Sequence, residues 1–116
     1  MTIWVLAAVL AAGFAAIGAA KVLALPAMRE RAARFGFTVA AYRRIGILEW
    51  AGATGVLIGL AAPVIGLLAA IGLLLLLAGA LAAHARHRDG LREAVPALIF
   101  GAVDAAYIGL TVGVLR

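Results

Sequence analysis

From Trp50 to Ala83 the chain runs thirty-four residues without a charged side chain, and from Ala94 to Leu115 a second apolar stretch is broken only by Asp104. A helix rises about 1.5 Å per residue, so the longer stretch would reach about 51 Å as one rod, well past a hydrocarbon core of about 30 Å. It is therefore expected to fold back on itself, and Pro63, after Ala61 and Ala62, marks a tight hairpin. An earlier apolar run, Ile3 to Ala24, stops at Pro26 with Trp4 at one interface and Lys21 in its last turn. The pattern predicts spans over about 3–24, 42–61, 64–85 and 94–115. That is an all-α integral membrane protein, a four-transmembrane-helix bundle forming a single membrane domain. After the first span, Met28, Ala32 and Phe35 follow i, i+4, i+7 spacing while Arg29, Arg31 and Arg34 occupy other faces. This predicts a short interfacial amphipathic segment whose arginines meet anionic lipid.

Composition agrees with that class. Hydrophobic residues make up 67% of 116 positions and the mean hydropathy is +1.19, outside the range of soluble domains. A core this small cannot enclose a large cofactor within one protomer. Cysteine is absent, which removes disulfides and thiolate chemistry, so redox chemistry would have to come from a ligand or partner. The net charge is +5, with six Lys/Arg in the first connection (Lys21 to Arg44), none in the second, three in the third (Arg86, Arg88, Arg92), and Arg116 at the end. Connections one and three share a side of the membrane. Positive-inside bias makes that side cytoplasmic and both termini external, and it accounts for the basic residues without nucleic acid. Met1-Thr2-Ile3 lacks the basic start of a signal peptide, so the first helix is expected to remain in the mature protein.

Small residues recur where helices must approach closely. Gly52, Gly55 and Gly59 share a face of the second span, Gly72 and Gly79 lie a heptad apart on the third, and Gly101, Ala105, Gly109 and Gly113 form a small-xxx-small ladder on the fourth. The plainer reading packs the ladder within a protomer, and the alternative uses it in a homo-oligomer.

Ionisable residues within the spans carry the functional signal, because buried charges face the bundle interior and pair or neutralise. Counting rise per residue, Lys21 lies about 5 Å and Glu49 about 7 Å below the cytoplasmic interface, and His84 closes the third span on that side. The expected arrangement is a Lys21–Glu49 ion pair with His84 near enough to hydrogen-bond the carboxylate. Asp104 lies about 15 Å deep with no basic residue at its level and is expected to be neutral. Tyr107 at i+3 and Thr111 at i+7 continue its face, so a carboxylic acid, a phenol and an apolar wall could receive an apolar molecule with one polar group. His84 and His87, followed by Asp89 and Glu93 and flanked by arginines, do not make a converging metal site, and no metal is expected.

The order of these residues resembles the DoxX-like family of small four-span bacterial membrane proteins. Gly18-Ala19-Ala20-Lys21-Val22-Leu23 looks like that family's small-residue stretch followed by lysine. Tyr42 to Leu57, with Ile45-Gly46 ahead of Glu49 and a glycine-rich turn after it, is similar to its second-helix signature, and Gly79 to Arg86 resembles the end of its third helix. The resemblance implies a four-helix bundle in the bacterial inner membrane and marks Lys21, Glu49 and His84 as the recurring polar positions; Asp104 matches no element of it. Related proteins are linked to thiosulfate:quinone oxidoreduction, to membrane-associated oxidoreductase complexes and, in animals, to receptor assembly. Three functions follow as expectations. The first is a membrane subunit binding quinone or a similar apolar molecule, with no intrinsic cofactor and a redox partner protein. The second is an acid/base enzyme, an isomerase or epoxide-opening catalyst using Glu49, His84 and Asp104 on a lipophilic substrate. The third is a non-catalytic assembly scaffold. Lys21, Glu49, His84, Asp104 and Tyr107 are the candidate ligand-binding residues.

Overall fold

Helix α1 (Thr2–Val22) ends where Ala24 turns into the left-handed region at φ 50°. The Leu25 amide then reaches the Ala20 carbonyl at 3.1 Å and the Ala24 amide reaches that of Lys21 at 3.1 Å, closing the helix in a Schellman motif. Pro26 cannot continue α1, and its fixed φ starts α2 (Pro26–Arg34) at once. Arg29 Nε donates to the Ala24 carbonyl at 2.9 Å and holds the corner. The same device closes α2, with Gly36 at φ 79° and the Phe37 amide bonded to the Ala32 carbonyl at 2.8 Å. Thr38 then caps α3 (Val39–Ile58), its hydroxyl accepting from the Ala41 amide at 3.0 Å. A short turn leads to Pro63 as the first residue of α4 (Pro63–Arg86), where the sequence places the hairpin. Helix α5 (Leu91–Leu115) begins ahead of the expected Ala94 and runs through Pro96. Pro96 is the sixth residue of that helix, past the four N-terminal positions whose N–H groups go unbonded, so it removes one bond of the i→i−4 ladder.

The computed structural model describes residues 2–87 and 91–116, with the backbone alone for residues 91–93. Arg88 and Asp89, and the side chains of Arg92 and Glu93, lie outside the described residues. Regular structure among the described residues is entirely helical. Helix α1 packs against α3 and α5, and α4 packs against the same two, so the four long helices follow one another in the cyclic order α1, α3, α4, α5. Helix α2 lies against α3, with Ala32 buried, Met28 and Phe35 half-buried, and Arg29, Arg31 and Arg34 exposed.

Three helices, α1, α4 and the Ala94–Leu115 part of α5, are long and apolar enough to cross a membrane. Helix α3 carries Arg43, Arg44 and Glu49 and is not one of these three. Large apolar side chains cover the outside, among them Trp4, Leu48, Leu68, Leu75, Ile99 and Val114. A water-soluble surface does not carry an apolar belt of this extent; contact with lipid tails accounts for it. Leu10, Phe14, Val56, Leu73 and Tyr107 fill the interior between the helices.

The glycine faces divide into two kinds. Those on α3 are used within the protomer: a β-carbon on Gly52 would strike Leu73, one on Gly55 would strike Ala69, and one on Gly59 would strike Gly66 and the Tyr107 hydroxyl. The α5 ladder is not. Ala105, Gly109 and Gly113 are exposed, and a β-carbon on Gly101, Gly109 or Gly113 would meet nothing within 4 Å. The same holds for Gly72 and Gly79 on α4.

Candidate functional site

A close glycine crossing of α1 and α3 positions the site. Gly18 on α1 faces Gly46 on α3 so tightly that a β-carbon on either residue would lie 2.8 Å from the other's carbonyl oxygen. Trp50 lies across the outer side of the crossing and donates from Nε1 to the Ala15 carbonyl at 3.0 Å. Lys21 is three residues beyond Gly18 and Glu49 three beyond Gly46, so the crossing delivers an ammonium and a carboxylate to one place. They form the expected ion pair, with Lys21 Nζ donating to Glu49 Oε1. Glu49 is only 2% exposed. The Lys21 ammonium also stands over the Tyr42 ring, 5.2 Å from its centroid, which adds a cation–π attraction on its other side.

Beside the pair a cavity of about 150 Å³ opens between the helices. Lys21, Glu49, Arg31 and His84 form its polar wall, and Phe14, Ile17, Leu76, Leu77, Ala97 and Phe100 form the apolar remainder. A neighbouring space of about 230 Å³ shares Lys21, Arg31 and His84 and extends toward Phe35, Phe37 and Tyr42. His84 thus reaches the cavity that Lys21 and Glu49 line, and its ring meets Phe35 edge-on at 5.5 Å between centroids. His87 also packs against Phe35, at 5.0 Å between centroids, and places Nδ1 3.0 Å from the Ala83 carbonyl. Between α3 and α4 an open groove of about 480 Å³ has only apolar residues on its wall, which suits an acyl chain of the surrounding lipid.

Asp104 and Tyr107 are fully buried and line neither polar space. The Tyr107 hydroxyl donates to the Val56 carbonyl at 2.9 Å, in a niche that only the absent side chains of Gly59 and Gly66 leave open. Both Asp104 carboxyl oxygens and the Thr111 hydroxyl are buried without a hydrogen-bond partner among the described residues. Phe100, one turn before Asp104 on the same face of α5, lines the cavity with Phe14, their ring centroids 5.6 Å apart. The site residues therefore fall into two groups, Lys21, Glu49 and His84 on the cavity wall, and Asp104 with Tyr107, which line neither space. Among the described residues no three His, Cys, Asp or Glu side chains converge as metal ligands would.

Four wall residues, Arg31, Phe14, Phe100 and Tyr42, were not singled out as site residues from the sequence. Phe14 follows Leu10 by four and precedes Gly18 by four and Lys21 by seven, which puts it on the α1 face that reaches Glu49. Phe100 has the matching place on α5, four residues before Asp104. Arg31 gave no such signal, since an arginine on a basic helix ordinarily belongs to the solvated face.

A family model for the DoxX-like family matches residues 5–113, nearly the whole chain. The chain belongs to that family. This DoxX-like protein is accordingly a membrane protein, as its three long apolar helices and apolar exterior require. No curated protein and no solved structure matches the chain significantly.

Proposed function

We propose that this DoxX-like protein is a four-span protein of the bacterial cytoplasmic membrane, with both termini outside, that holds quinone or a comparable apolar molecule for a redox partner protein. The carrying observation is the cavity beside the Lys21–Glu49 pair, lined by polar and by aromatic side chains. Ligand sites are largely apolar clefts with a few convergent polar groups, and the spaces between helices of a bundle are a usual place for them. A cavity of 150 Å³ is the size that receives a benzene ring, so a quinone ring is a fitting occupant. Lys21, Glu49 and His84 would hold its oxygen atoms, and Phe14 and Phe100 its ring. The bound quinone would supply the capacity to take up electrons and protons. Asp104 lines neither polar space, so binding is favoured over an acid/base reaction shared by Asp104 and Glu49.

Helix α3 supports the four-span reading. Its 20 residues reach about 30 Å, both arginines lie in its first two turns, and its one deep charge is matched by Lys21. The cysteine-free chain makes the topology directly measurable. In intact spheroplasts, a membrane-impermeant maleimide is expected to label Ala61→Cys and to reach Ala33→Cys only after the membrane is opened. Labelling of both in intact spheroplasts would place them on one side and rule out a crossing by α3.

Mass spectrometry of the organic extract of the purified protein tests the ligand. The parent and Asp104→Asn are expected to yield a stoichiometric small molecule that is depleted in Glu49→Gln. Bulk lipid alone in all three preparations would exclude the binding role and leave the scaffold role in its place.

A further inference from the structure

We propose that the cavity selects a molecule with a single negative charge on a ring-sized apolar body, its anionic head meeting Arg31 and His84. The inference rests on the reading that the cavity holds a ligand, and among the apolar molecules comparable to quinone it selects one that carries a negative charge, in place of quinone itself. Four ionisable side chains stand on the wall, from four helices: Lys21, Arg31, Glu49 and His84. Lys21 and Glu49 satisfy one another. Arg31 has no ion-pair partner among the described residues, so the wall carries a surplus guanidinium, and His84 lines the same two spaces.

A neutral occupant gives the guanidinium no counter-ion from within the cavity. An anion meets it through the strong, charge-assisted hydrogen bonds that guanidinium forms with oxygen anions, strengthened where helices exclude water. Glu49 does not repel the head as a free carboxylate would, because its charge is already matched by Lys21. Placement supports the assignment. Arg31 lies on α2, whose two ends are locked by the left-handed turns at Ala24 and Gly36, and it is exposed on one side while lining both polar spaces on the other. That is the position of a recognition group at a cavity mouth. The apolar body would then pass inward to Phe14 and Phe100.

Two sources carry this chemistry, the headgroup of an acidic phospholipid and a free amphiphilic acid. The test uses the full-length protein in phosphatidylcholine nanodiscs, with 4-hexylbenzoate and the uncharged 4-hexylbenzamide as probes and empty discs to subtract partitioning. The acid is expected to bind about tenfold more tightly than the amide, as one charge-assisted contact provides. Arg31→Gln should erase that preference by weakening the acid while leaving the amide unchanged. Arg43→Gln, which removes an exposed arginine away from both spaces, should preserve it. Discs containing phosphatidylglycerol separate the sources. Loss of acid binding from the parent beyond the loss seen with Arg31→Gln assigns the head to a lipid, and retention assigns it to the free acid; both outcomes uphold the charge selection. Equal binding of acid and amide to the parent would overturn the charge selection while leaving the binding reading intact. Binding of neither probe above empty discs would overturn both.

Discussion

Gly46→Val is expected to destabilise the protein by about 3 kcal/mol, the upper part of the range for overpacking a close contact. Two effects compete at this position. A helix-interior glycine replaced by a better helix former gains at most about 1 kcal/mol. Against that, the first added carbon would lie 2.8 Å from the Gly18 carbonyl oxygen and 3.0 Å from the Lys21 β-carbon, atoms fixed to backbone rather than at the end of a flexible side chain. The helices must separate to admit it. Separation of α1 from α3 also weakens the Lys21–Glu49 pair and the Trp50 bond to Ala15, so the loss extends beyond the steric contact. Gly72→Ala is the matched control, since a β-carbon there meets nothing within 4 Å and only the helix gain remains. Unfolding by titration of sodium dodecyl sulfate into dodecylmaltoside micelles should show Gly46→Val far below the parent and Gly72→Ala at or above it. Equal stability of the parent and Gly46→Val would mean that the crossing is looser than described.

The Gly18–Gly46 crossing shows how far residue patterns carry. Depth counted from helix ends placed Lys21 and Glu49 in one layer, and hydrocarbon's intolerance of lone charges turned shared depth into a pair. The structure forms that pair. Periodicity could not tell packed glycines from open ones, because Gly101, Gly109 and Gly113 recur with the same spacing sense as Gly55 and Gly59. What decides between them is the opposite side of α5. Asp104, Tyr107 and Thr111 share one face, and the need to bury that polar face turns the ladder outward. The information was in the chain, but reading it required knowing that Tyr107 would find a niche at Gly59 and Gly66, residues forty-eight and forty-one positions away. Arg31 was illegible for a different reason. A long side chain reaches two environments from one backbone position, so its helical face does not settle where its charge goes.

Lys21→Met is expected to cost about 3 kcal/mol, whereas Glu49→Gln should cost roughly half as much. The asymmetry follows from burial. Without the lysine, the Glu49 carboxylate, 2% exposed, is left uncompensated among helices. Without the glutamate charge, Lys21, whose side chain is 15% exposed, can extend its stem and bring the ammonium toward water. Removing both charges in Lys21→Met/Glu49→Gln should recover most of the loss, because neutral replacements of a buried pair avoid the cost of desolvating two ions. A double-mutant cycle of detergent unfolding free energies measures this directly, and additive losses would show that the pair contributes no coupling. The double variant also separates packing from binding. If the pair recognises a ligand, this variant should fold with near-parent stability and yet yield no small molecule on extraction. A stable double variant that still retains the molecule would confine the pair to holding α1 against α3, and would leave Arg31 and His84 as the groups that meet the ligand.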